Sequence, residues 1–119
     1  KEDGSTHETY EDFIEWYTEI FERATKYLKP NRFVAVVVGE IRDQKTGKYR
    51  GLVPDTIFAL EHCGFDYYNE LILVTRTGSL PLRAGRQFRV GRKIGKTHQN
   101  ILVFYNGDLE EIRNVFKEN

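Results

Sequence analysis

The chain has 119 residues, of which 39% are hydrophobic, 13% aromatic and 30% charged, a composition that suits one globular domain and excludes disordered, collagen-like and coiled-coil classes. Eighteen bases balance eighteen acids, yet Leu71 to Gly107 holds seven bases (Arg76, Arg83, Arg86, Arg89, Arg92, Lys93 and Lys96) and no acid, which leaves 11 bases against 18 acids elsewhere. The longest apolar run, Phe33 to Val38, is far short of the roughly 20 residues of a bilayer-spanning helix, and the polar start from Lys1 to Thr9 has no apolar signal core, so a cytoplasmic setting away from membranes is expected.

From Tyr10 to Leu28 apolar residues recur at spacings of three and four, which predicts a helix with one buried stripe. Thr9 followed by Asp12 supplies a cap, and Pro30 enforces a stop after Lys29. Phe33 to Val38 is a β-branched run without polar alternation, the pattern of a central strand covered on both faces. Gly39 ends it and leads to a polar turn or short hairpin from Asp43 to Tyr49. Pro54 in the first turn and Gly64 just past the end frame a short helix through Leu52, Val53, Ile57 and Leu60. A strand from Phe65 to Arg76 follows, with Leu71 to Val74 as its buried part. Thr77 to Gln99 is expected to be a loop, Asn100 to Tyr105 a third strand, and Asp108 to cap a last helical turn or two. No linker divides the chain, so residues 1–119 are expected to form one domain or a piece of one. Three apolar strands leave two edges open, which invites pairing with a second copy.

Few catalytic chemistries fit these residues. The single Cys63 excludes an internal disulfide and a cysteine-based zinc site, and it reads as a buried, reduced thiol. His7, His62 and His98 lack acids at ligand spacing. Ser79 has no nucleophile elbow. Gly91 to Thr97 imitates a phosphate loop but is one residue short between its glycines and precedes a strand instead of following one. Glu40 and Asp43 are the one acid pair just past a strand's carboxyl end, where α/β folds place ligands, although a solvated turn is the readier account of them. The acid-free basic stretch is the strongest signal. Like charges without counter-ions repel unless a polyanion or the acidic remainder of the fold lies against them, and nucleic acid is the leading partner.

Four runs, Arg23 to Pro30, Phe33 to Asp43, Gly78 to Phe88 and Arg92 to Phe104, together resemble the carboxyl-terminal half of S-adenosylmethionine-dependent DNA methyltransferases, closest in kind to phage and prophage enzymes acting on adenine N6 or cytosine N4. Ser79-Leu80-Pro81-Leu82-Arg83-Ala84-Gly85-Arg86-Gln87-Phe88 with Lys96-Thr97-His98-Gln99-Asn100 carries most of the likeness. The resemblance implies an α/β fold: part of a Rossmann-like class I methyltransferase sheet, with strands five and six and an antiparallel seventh between them, flanked by helices. It implies that the segment joining strands six and seven lies at the active-site face and contacts DNA through Ser79, Arg83, Arg86, Gln87, Arg89, Arg92, Lys93 and Lys96, the bases meeting phosphates and Gln87 or an arginine reaching base edges. Phe88 is either a stacking residue for a displaced base or a core residue.

The family's glycine-rich cofactor turn and its Asp/Asn-Pro-Pro-aromatic catalytic motif are both absent. The expectation is therefore a carboxyl-terminal portion whose cofactor and catalytic half lies upstream: S-adenosylmethionine serves the parent enzyme and none is expected on this chain alone, nor any metal. Two other readings stay open. One is a noncatalytic DNA-binding module or remnant; the other is a protein-interaction module whose basic loop pairs with Glu11, Asp12 and Glu15.

Overall fold

The computed structural model describes residues 9–75 and 80–117, with side chains in the second stretch described from residue 84 onward. Its elements are α1 (Tyr10–Thr25), β1 (Arg32–Val38), α2 (Leu52–His62), β2 (Asp66–Val74), α3 (Leu80–Gly91), β3 (His98–Asn106), a 3-10 turn (Leu109–Glu111) and α4 (Ile112–Val115). Thr9 caps α1 by accepting from the Asp12 amide at 3.0 Å, and the helix stops at Thr25, four residues before the predicted Lys29. The three strands lie in the order β1-β3-β2, with β3 antiparallel to both neighbours. This is the placement that the resemblance implies for its seventh strand.

Alternation sets one sheet face against α2. Val34, Val36 and Val38 of β1 and Leu102 and Phe104 of β3 point inward and meet Ala59 and Leu60 of α2, with Phe65 closing the cluster. Leu60, Leu102 and Phe104 are fully buried. α1 packs against α2, tied to it by the Tyr10 and Tyr17 hydroxyls, and along its own stripe Phe13 stacks on Tyr17 at 5.3 Å and Tyr17 meets Phe21 at 4.8 Å. The buried Thr56 hydroxyl donates to the Leu52 carbonyl at 2.7 Å, so at 3.1 Å the Tyr17 hydroxyl must be the donor to it. On the other sheet face the amino end of β1 is covered by Phe116, 5.5 Å from Phe33, over the fully buried Tyr105.

Burial departs from the sequence reading in three places. β1 is not a central strand covered on both faces: it forms one edge of the three-stranded sheet, and Phe33 and Val37, which point away from α2, are 43% and 54% exposed. Leu71, Ile72, Leu73 and Val74 are not the buried part of β2 but exposed, on the strand that forms the other edge of the sheet. The α1 stripe is only half-buried, with no residue of α1 fully enclosed and Tyr27 beyond its end exposed. A β-branched or aromatic run reports that cover is favourable, not that the same chain supplies it. Cys63 is likewise partly rather than fully buried, and its thiol pKa is pushed up by that burial, with Glu22 nearby adding to it. Among the described residues no helix is long and apolar enough to cross a membrane.

Candidate nucleic-acid interface

The segment expected to be a loop is in large part a helix. α3 occupies Leu80–Gly91, and Pro81 at its start suits a first turn, where a missing amide donor costs nothing. Basic residues three apart then fall on adjoining turns of one surface, so the spacing that reads as loop is equally a helical spacing. The helix ends in a left-handed cap: Arg92, at φ 54°, donates its amide to the Phe88 carbonyl at 2.8 Å. A residue with a side chain in this region costs about 1–2 kcal/mol more than glycine does. The cap turns the chain into residues 92–97, which lead to β3.

This basic segment lies at the carboxyl ends of the two strands that run in one direction, β1 and β2. It enters after Val74 and leaves at His98, which pairs with Val74, while Asn100 pairs with Val38. Of the expected contact residues, Arg86, Gln87, Arg89 and Arg92 are exposed, and Lys93 and Lys96 are half-buried. Ser79 lies outside the described residues, as does the side chain of Arg83. Phe88 is not a core residue: it is 47% exposed and carries the Arg92 guanidinium over its ring at 5.2 Å. Among the described residues no ion pair joins Arg86, Arg89, Arg92, Lys93 or Lys96 to an acid, and the pairing with Glu11, Asp12 and Glu15 is not formed.

The acids past β1 have structural work. Glu40 accepts from the Gly51 and Leu52 amides with one carboxylate oxygen, at 3.0 and 2.9 Å, and from the Val53 amide with the other, at 3.1 Å. It thereby caps α2, whose own N-cap residue is Gly51 at φ 85° and offers no side chain. Asp43 accepts from the Lys45 and Thr46 amides at 2.7 and 3.0 Å and meets Arg50 at 3.3 Å; the two amides hold its pKa below the ordinary carboxylate value. A small hairpin results, closed by the bridge between Arg42 and Tyr49.

Two grooves differ sharply in charge. A groove of about 420 Å³ between α1 and α2 is lined by Glu15, Glu19, Glu22 and Asp55 around Phe58 and His62. It is the larger and repels an anion. A groove of about 360 Å³ at the carboxyl end of β1 is lined by Arg42, Gln87, Lys93, Ile94 and Lys96, with Ala84 and Gly95, and contains no acid. Arg42 escapes the sequence reading because Asp43 beside it makes the hairpin look neutral; its place past the end of β1 was the available signal.

No known family model matches the chain, and no curated protein matches it. Three crystal structures of one protein of Thermus thermophilus, assigned as a DNA modification methylase, do match in fold. Its selenomethionine form aligns at 21% identity and a TM-score of 0.60 over 88% of this chain and 43% of that one. Another structure of it gives 19%, 0.63, 83% and 38%, and its complex with S-adenosyl-L-methionine gives 21%, 0.62, 83% and 39%. The chain shares its fold with part of that protein. The chain spans about two-fifths of the length of that protein.

Proposed function

We propose that this chain is the carboxyl-terminal portion of an S-adenosylmethionine-dependent DNA amino-methyltransferase of the phage and restriction-modification kind, and that α3 with residues 92–97 supplies DNA contacts. What supports the reading most is the position of the acid-free basic segment at the carboxyl ends of β1 and β2 within a methylase-like fold. Arg86, Arg89 and Arg92 meet phosphates along one surface of α3 and its cap, with Ser79 and Arg83 extending the same stretch, while Gln87 faces the groove beside Lys93 and Lys96 and is the candidate to reach a base edge. Among the described residues at these strand ends, the acids and the groove are committed to other contacts. The Glu40 carboxylate, the acid best placed for a ribose diol, is occupied by three amides, and the charged residues lining the adjoining groove are all cations. In this reading the cofactor and catalytic residues come from the remainder of the enzyme.

A salt titration of duplex binding tests it. Affinity should fall steeply with salt, and replacing Arg86, Arg89 and Arg92 together by Ala should lower the log–log slope by about three. Absence of binding at low salt would defeat the assignment. A second reading, a noncatalytic module that completes its sheet with a second copy, draws on the open outer edge of β1 and the 54% exposure of Val37. Sedimentation over a concentration series decides it: a monomer throughout removes the second reading.

A further inference from the structure

We propose that the hairpin between β1 and α2 is the second wall of a phosphodiester-binding cleft, with Arg42 as its contact residue opposite Lys93 and Lys96; this rests on the nucleic-acid reading above and extends it to a segment on the other side of the groove. The three cations line one groove with Gln87 and Ile94, and no acid lies among them. They come from two segments more than 40 residues apart in sequence, so their convergence is a property of the fold and not of one basic run.

Arg42 and Lys96 are held in place while their charges stay available. The Arg42 guanidinium donates from one nitrogen to the Gly47 carbonyl at 2.9 Å and lies 4.4 Å from the centre of the Tyr49 ring. That uses one of its five N–H donors and fixes the plane of the fork, the preorganisation that phosphate recognition by arginine depends on. The Lys96 ammonium donates to the Glu40 carbonyl at 3.3 Å and lies 3.3 Å from where a Cβ on Gly39 would stand. The stem of Lys93 passes 3.4 Å from the corresponding point on Gly47. The two walls therefore meet where the hairpin has glycines, and a side chain at either position would push a lysine. The hairpin itself is braced by the Asp43 turn and by backbone bonds from Asp43 to Lys48 at 2.7 Å and from Arg50 to Ile41 at 2.8 Å, so it meets a ligand as a preformed edge. Three cations converging on one small groove raise its local potential, and a phosphate that bridges them relieves that repulsion.

The test is fluorescence anisotropy of the 119-residue chain on a labelled duplex of about 20 base pairs, from roughly 50 to 200 mM KCl. Arg42→Gln should lower the log–log slope by about one and weaken binding severalfold at the upper salt, Arg42→Lys should restore the slope, and Arg32→Gln, on the opposite end of β1, should change neither. Arg42→Gln with the wild-type slope would overturn the cleft, and so would a slope that Arg42→Lys fails to restore, since the role would then be to brace the hairpin. Inorganic phosphate that displaces the duplex at matched ionic strength would also overturn it, assigning the groove to a lone anion. If the wild-type chain does not bind duplex at all, the proposed function falls too. If the Arg86, Arg89 and Arg92 variant loses slope while Arg42→Gln does not, only the second wall is lost.

Discussion

The acidic half of this molecule and its basic crossover treat charge in opposite ways. In the helical layer and the hairpin, carboxylates are drawn into the architecture: Asp55 accepts from the Tyr10 hydroxyl at 2.8 Å, Glu22 meets His62 at 3.2 Å, Glu40 caps α2 and Asp43 ties a turn. Burial and the Asp55 contact raise the Tyr10 pKa well beyond its ordinary value, which keeps that hydroxyl a donor. Along α3 and residues 92–97 the cations make no such bonds to acids among the described residues; Arg92 lies over a ring and Lys96 donates to a carbonyl. The contrast is what the proposed interface accounts for: bases left unmatched on one face are complemented there by an external anion.

Four experiments test this contrast. Reversing the sign of Arg86, Arg89 and Arg92 with Glu should weaken duplex binding by about 100-fold or more, while the melting temperature moves by less than about 3 °C because no native ion pair is lost. Binding assays with a thermal melt measure both. On the acidic side, Glu40→Ala leaves the first amides of α2 without acceptors and should cost about 2 kcal/mol in urea unfolding. A loss near zero would mean that water replaces the cap. Tyr17→Phe removes the donor to Thr56 but leaves the threonine bonded to Leu52, so about 1 kcal/mol is expected by the same measurement.

The smallest effect concerns pH. The folded-state pKa of Asp43 is depressed, so its stabilisation is complete above the unfolded value of about 3.9 and is lost as pH falls through the folded value. The melting temperature of Asp43→Asn should therefore lie below that of wild type near neutrality and approach it in acid. A difference that stays constant with pH would show that the turn does not depend on the charge.

The sequence displays elements best where a local period and a local stop agree. The α1 stripe with Thr9 before it, and the apolar run of β3 closed by Asn106 and Gly107, both stand close to where the residues put them. α3 is hard to see because Gly85, Gly91 and a base at every third position read as loop, which masks the helical spacing of Leu80, Ala84 and Phe88, and because Arg92 just past its end occupies a conformation normally signalled by glycine. The exposure of Leu71 to Val74 was illegible for a different reason: apolarity records a preference for cover, and the groups that cover a strand lie elsewhere in the chain or outside it. At the interface, the bases of the crossover were visible as an unbalanced run. Arg42 was not, since only the fold brings it across from Lys93.

Glu40 has a consequence for how the groove can respond. Its carboxylate grips the start of α2, and its carbonyl, one peptide unit away, receives Lys96. Because the two attachments leave from different ends of one residue, a bound anion can draw the lysine off the carbonyl while the helix stays anchored. The site can thus rearrange its electrical face with its scaffold at rest, which makes it a tunable contact on a stiff frame.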